Sequence, residues 1–176
     1  SAILLEAQTG TVIFEKDADR ICSPASITKI MTLLLIFEAL GQGQIHLTDE
    51  VVTSEHAQSM GGSQVFLETG GVYPAKELIK SICIASANDS CVAMAERIAG
   101  TEDLFISKMN ERAKSLGAED TVYVNCTGLP KQGQYSCAKD VAAMFAALIK
   151  HKGRCGDACR TSAARGVFSV QQNLDG

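Results

Sequence analysis

The chain has 176 residues, 46% of them hydrophobic and 20% charged, with a formal net charge of −4. This length and composition fit one soluble globular domain with a sizeable core, and the acidic balance speaks against nucleic acid, which needs a basic face. No uncharged apolar run reaches the roughly 18 residues of a membrane span; the richest stretch, Ile30 to Leu40, is short and carries Thr32 and Glu38.

Ala2 to Glu15 predicts a β-hairpin, with apolar runs at Ile3–Leu5 and Val12–Phe14 around a turn that carries Gly10. Ser26 to Leu40 predicts a helix, with Pro24 just ahead of it and Gly41 at its end. Ile27, Ile30, Met31, Leu33, Leu34, Leu35, Ile36 and Phe37 leave this helix without a wet face, so it belongs at the centre of the domain. His46 to Gly71 is irregular. Helices follow at Pro74–Ile84 and Asp89–Ala99, then one capped by Thr101 and ended by Gly117, and a last one capped by Ser136 and running to about Lys150. Thr121 to Val124 reads as a brief extended piece.

The residues from 1 to 152 form one domain. From 153 to 176 the composition changes: three of the six arginines fall here, with no lysine, and helical periodicity fades. Two readings of this tail stand open, a surface loop or a stretch foreign to the domain. The seven cysteines are odd in number and spread through helical segments, which does not describe a disulfide framework. Cys83 and Cys91 read as small buried apolar residues. Cys155 and Cys159 lack the second ligand pair of a zinc site, and His46, His56 and His151 have no partner at metal-ligand spacing.

Two short motifs carry chemistry. In Ser26-Ile27-Thr28-Lys29 the serine and lysine are three residues apart and share a helical face. A serine at a helix N-terminus sits where unpaired N–H groups favour a developing oxyanion. The lysine can act as its base only when neutral, which burial against an apolar helix promotes. Taken alone, the same tetrad also describes an exposed capping serine with a solvated lysine. Ser86-Ala87-Asn88, between two predicted helices, offers a hydroxyl to relay a proton and an amide to hold a peptide group; alone it reads equally well as turn and capping residues.

Together, and in this order, the two motifs resemble the S-x-x-K and S-x-N motifs of penicillin-binding proteins and β-lactamases. The flanking sequence is similar to the serine-type D-Ala-D-Ala carboxypeptidases, peptidase family S11: Ala2–Gly10, Pro24–Thr32, Gly61–Leu67, Ala85–Ser90, Phe105–Gly117 and Asn125–Leu129 all match, so the resemblance spans residues 2 to about 150. It implies an α/β (α+β) fold of the DD-peptidase/β-lactamase type, a helical cluster packed on an antiparallel sheet of which only the N-terminal hairpin is present. It also implies a reaction: Ser26 as nucleophile, Lys29 as general base, Ser86 as proton relay and Asn88 as substrate-binding residue, acting on peptidoglycan stem peptides that end in D-Ala-D-Ala. β-Lactam antibiotics would acylate the same serine. The resemblance implies no metal or organic cofactor, and a location outside the cytoplasmic membrane after removal of a signal peptide, with membrane association only through segments absent from this sequence. Two alternatives are a non-catalytic cell-wall peptide-binding relative and a class A β-lactamase, although the latter calls for S-D-N where this chain has Ser86-Ala87-Asn88.

The family's third motif, K-T-G or H-T-G on a later strand, is missing after Ser86. That strand supplies a cation for the substrate carboxylate and a second oxyanion-hole N–H; loss of one such donor costs about a hundredfold or more in rate. The expectation is therefore a poorly stable, nearly inactive chain. Incubation with a fluorescent penicillin tests this, and stoichiometric labelling of Ser26 would contradict it.

Overall fold

A computed structural model describes residues 1–151; the tail from 153 on, with Cys155 and Cys159, lies outside the described residues. The predicted hairpin forms from β1 (Ala2–Leu5) and β2 (Val12–Lys16), which pair antiparallel with Ala2 opposite Lys16 and a register shift between Leu4 and Leu5. Its turn is closed by the Glu6 carboxylate, which accepts the N–H groups of Gln8 and Thr9, while Gly10 takes the left-handed φ of +73°.

The central helix is α1 (Lys29–Gly41). Met31, Leu34 and Ile36 are fully buried, as a helix apolar on all sides requires. It packs against α4 (Asn88–Ala99), α5 (Glu102–Ser115) and α6 (Ala138–Ile149), and the hairpin lies on α6. Thr101 caps α5 as expected, its hydroxyl accepting the Leu104 N–H at 3.2 Å. The cap of α6 differs from expectation: Cys137 occupies the N-cap position, and Ser136 instead belongs to an isolated bridge with Cys22, its hydroxyl bonded to Thr121. The stretch that reads as irregular contains a second small ladder. There β3 (Glu50–Val52) pairs antiparallel with β4 (Val72–Pro74), and a single-turn helix α2 (Glu55–Gln58) is capped by Ser54. Strands of three residues are too short to show an alternating pattern. Pro74 ends β4, so α3 (Ala75–Ala85) starts one residue later than expected.

Strand β2 is exposed along its whole length, with Val12, Ile13 and Phe14 each about half accessible. Successive strand residues point to opposite faces, so among the described residues neither face of β2 is covered.

Helix α4 carries the polar core. Asp89 is fully buried, and its carboxylate accepts the N–H groups of Val65, Leu67 and Ser90 at 2.8–3.3 Å. One side chain thereby holds the 63–67 segment against α4. Asp89→Ala leaves those donors unpaired, at about 1–3 kcal/mol for each that stays buried. The expected result is a urea midpoint well below that of the unsubstituted protein, with Asp89→Asn falling between them; an unchanged midpoint for the alanine variant would remove Asp89 from this role.

Candidate functional site

The site begins with a departure from the expected helix. Residues Ala25–Thr28 form a 3-10 turn, and the α-helix starts only at Lys29. The turn is entered through Ala25 at φ +45°, a left-handed conformation costly for any residue but glycine. The segment packed against it lies about 100 residues downstream. The Gly128 backbone, at φ +86°, sits directly on the Ala25–Ser26 peptide; a Cβ at Gly128 would lie 1.9 Å from the Ala25 carbonyl oxygen and 3.0 Å from the Ser26 nitrogen. In a 3-10 turn residues i and i+3 stack directly above one another, so tightening keeps Ser26 and Lys29 on one face. Ser26 is exposed, whereas Lys29 is 5% exposed.

The Lys29 amine donates to Asn88 Oδ1 at 2.7 Å and to the Thr127 carbonyl at 2.6 Å. Asn88 Nδ2 donates to the Gly61 carbonyl at 2.7 Å. These partners fix the amide orientation, because a lysine amine facing Oδ1 is a donor and a carbonyl facing Nδ2 is an acceptor. Among the described residues, no carboxylate is a hydrogen-bond partner of Lys29. Burial lowers its pKa below the ordinary lysine value. The opposing influence comes from Cys91 and Cys126, thiols that burial itself keeps protonated, with Cys91 pushed up to about 12. The neutral amine that general-base chemistry needs is thus favoured by its surroundings.

Ser86 and Asn88 arrive at the site from one corner. Ser86 ends α3 in the left-handed conformation, φ +56°. Ala87 is the buried N-cap of α4 and Asn88 its first residue, so Asn88 stands on a helix and not in the turn that the sequence suggests. Lys29 and Asn88 are in direct contact. Ser86 is half-buried two residues away in sequence, and the two hydrogen bonds of the Lys29 amine go to Asn88 and Thr127. The Asn88 N–H donates to the Ser63 carbonyl at 2.7 Å, and Gly62 packs where a Cβ would lie 3.0 Å from Asn88 Nδ2 and 3.4 Å from Leu129. Asn88 is the junction of three segments: 61–63, α1 and 125–129.

The 125–129 loop is held by side chains. Asn125 Oδ1 accepts the Gly128 N–H at 2.7 Å, and Asn125 Nδ2 donates to the Leu129 carbonyl at 2.8 Å. Gln134 Oε1 accepts the N–H groups of Val124 and Asn125, while Thr32 Oγ1 donates to the Cys126 carbonyl at 2.6 Å. Residue-by-residue reading does not assign Thr127 and Gly128 a place at the site, since the site uses only their backbone; Asn125 with Gly128 three residues on is the one local sign of a built turn. Elsewhere, Asp19, Asp120 and Cys137 bring one donor atom each within 4.8 Å of one another, and Lys139 provides Asp19 with a counter-charge at 3.2 Å. His46 lies beside Asp49 and His56 bonds Glu102, both far in sequence from the two motifs. Among the described residues, no helix is long and apolar enough to cross a membrane.

The site therefore holds a buried amine one turn from an exposed hydroxyl, a fixed amide in contact with that amine, and a half-buried second hydroxyl two residues along the chain from the amide. The chain matches the family model of D-alanyl-D-alanine carboxypeptidase, S11, over residues 1–171. It is 53% identical over 152 residues to the D-alanyl-D-alanine carboxypeptidase DacF of Bacillus subtilis, covering 86% of this chain and 39% of that protein. The crystal structure of the carboxypeptidase DacD from Francisella tularensis superposes with a TM-score of 0.85 at 31% identity, over 89% of this chain and 38% of that one. Penicillin binding protein 5 from Haemophilus influenzae superposes at 0.81 and 32% identity, over 84% of this chain and 44% of that one. The chain thus spans about two fifths of the length of the curated relatives it matches. With an S-x-x-K serine and a buried lysine set on the same scaffold as these proteins, it belongs to the D-alanyl-D-alanine carboxypeptidase family, S11.

Proposed function

We propose that the protein is a serine-type D-Ala-D-Ala carboxypeptidase that removes the terminal D-alanine from peptidoglycan stem peptides, outside the cytoplasmic membrane. The observation that carries this reading is the Lys29 amine, buried without a carboxylate partner one turn from an exposed Ser26. A neutral amine has two N–H donors and one lone pair. The Asn88 and Thr127 oxygens take the two donors, and the lone pair is left to accept the Ser26 proton.

In this reading Ser26 Oγ attacks the carbonyl carbon of the D-Ala-D-Ala bond as Lys29 takes its proton, and the negative charge develops on the carbonyl oxygen. The C–N bond then breaks. The departing D-alanine nitrogen receives the proton through Ser86, and water hydrolyses the ester on Ser26. A β-lactam would follow the first half of the same path. Asn88 serves this chemistry by orienting Lys29 as well as by holding the substrate peptide. No cofactor enters the scheme.

Prolonged incubation with benzylpenicillin should label a fraction of the protein well short of one adduct per chain, and mass spectrometry should find that adduct on the peptide that contains Ser26. The adduct should vanish in Ser26→Ala and in Lys29→Ala. An adduct on another residue, or none on a folded protein, rules the assignment out. The adduct should form faster as pH rises, with a midpoint below the ordinary lysine value of about 10.4, because the neutral amine is the active form and burial lowers its pKa. Release of D-alanine from a D-Ala-D-Ala peptide, against rapid turnover of penicillin, separates a carboxypeptidase from a β-lactamase. Gly128→Ala forces a Cβ onto the Ala25–Ser26 peptide and displaces the nucleophile; a misplacement near 1 Å costs about 100-fold, so its acylation rate should fall by that order or more, since the Thr127 carbonyl that holds Lys29 moves with the same loop. A Gly128→Ala variant that acylates at the original rate would show that the contact is idle.

A further inference from the structure

Glu102 is the first residue of α5, a place where an acidic side chain ordinarily faces solvent and favours the helix N-terminus. Here the carboxylate is only 14% exposed and is turned away from its own helix. Oε1 accepts the Cys126 N–H at 3.0 Å, and Oε2 lies 2.7 Å from His56 Nε2 of α2. Cys126 is thereby held on both sides of its backbone, its N–H by Glu102 and its carbonyl by Thr32 of α1. The next residue is Thr127, whose carbonyl accepts from the Lys29 amine.

We infer that Glu102 is a positioning residue for Lys29: its carboxylate, held between His56 and the Cys126 N–H, fixes the loop whose Thr127 carbonyl receives the amine. The role rests on the reading of Lys29 as the base, and the geometry explains why a helix-terminal acid should be buried at all. Helices α5 and α1 meet at this one residue of the loop, and α2 joins them through His56. Without the Glu102 carboxylate the Cys126 N–H has no protein partner, and an unpaired buried N–H draws in water or moves toward it. Either response loosens the Thr127 carbonyl and admits solvent to the amine. Burial pushes the Glu102 pKa up, but the hydrogen bonds from Cys126 and His56 outweigh it and hold the carboxyl below its ordinary range, so the anchor stays ionised at neutral pH. The titratable groups that face Lys29 are Cys91 of α4 and Cys126 of the loop, both protonated thiols at neutral pH.

The test reads Lys29 directly and needs no turnover. The protein is labelled with 13C-lysine, the Lys29 Cε signal is assigned by its loss in Lys29→Ala, and its shift is followed against pH. Glu102→Gln should titrate with the unsubstituted midpoint, because its Oε1 still accepts the Cys126 N–H and its amide still reaches the His56 ring nitrogen. Glu102→Ala, and Glu102→Asp with its shorter arm, should raise the midpoint by about half a pH unit or more, roughly a threefold change in acid constant, as water reaches the amine. His56→Ala, at a half-exposed residue, should raise it in the same direction by less, and it decides the matter should the Glu102 variants fail to fold. A folded Glu102→Ala or Glu102→Asp with an unmoved midpoint, a Gln variant that behaves like Ala, or an unmoved His56→Ala in the absence of folded Glu102 variants overturns the inference. Penicillin labelling of Ser26 is read separately: its absence defeats the carboxypeptidase reading and leaves the Lys29 titration to judge Glu102.

Discussion

The backbone of Gly128 rests on the peptide bond between Ala25 and Ser26, and most of the site follows from that contact. The close approach leaves no room for a side chain at position 128, and it accompanies the left-handed turn at Ala25. The chain leaves that turn as a tight 3-10 segment, which stacks Ser26 above Lys29 before the α-helix takes over. The same loop delivers the Thr127 carbonyl to the lysine amine. The proposed nucleophile and the proposed base are therefore located by one piece of backbone, tied down by Asn125 and Gln134. Strain of roughly 1–3 kcal/mol at a single left-handed alanine is small beside the apolar burial of α1, and the surrounding contacts can hold it.

The site also divides its two reactive groups by solvent. Ser26 is open and Lys29 closed. In the proposed reaction an acyl donor would meet the hydroxyl, while the amine touches protein atoms. Exposure of the lysine would move its pKa back toward the ordinary value and favour the ammonium; burial of the serine would close it to an incoming acyl donor. The boundary between them runs through one turn of chain, which is why the onset of the helix matters more here than its length.

How much of this could be read from the residues depends on which atoms do the work. Side-chain roles were legible: an all-apolar helix had to be central, Thr101 had to begin a helix that Gly117 ended, and a serine three residues before a lysine had to share its face. Backbone roles were not. Thr127 contributes a carbonyl and Gly128 an absence of Cβ, and neither leaves a mark in side-chain type. Ser136 looked like the cap of α6 because serine commonly caps; a hydroxyl bond to Thr121 and a bridge to Cys22 took it elsewhere. Asn88 looked like a turn residue for the same reason and proved to be the first residue of α4. The β3–β4 ladder was invisible because three-residue strands show no period. Glu102 passed for an ordinary helix-start acid, and only its long-range partners reveal what it does.

The contrast between neighbours 88 and 89 bears on how the protein keeps a base at work. Both carry a short side chain that ends in an oxygen, and both are buried at the start of α4. The uncharged one faces the lysine and the anionic one faces backbone amides of 65–67 and Ser90. An anion of equal reach at position 88 would form an ion pair with the ammonium and hold its proton in place. Putting an amide there gives the amine an anchor that attracts it without charging it, and one step along the helix carries the negative group round to where it serves architecture alone.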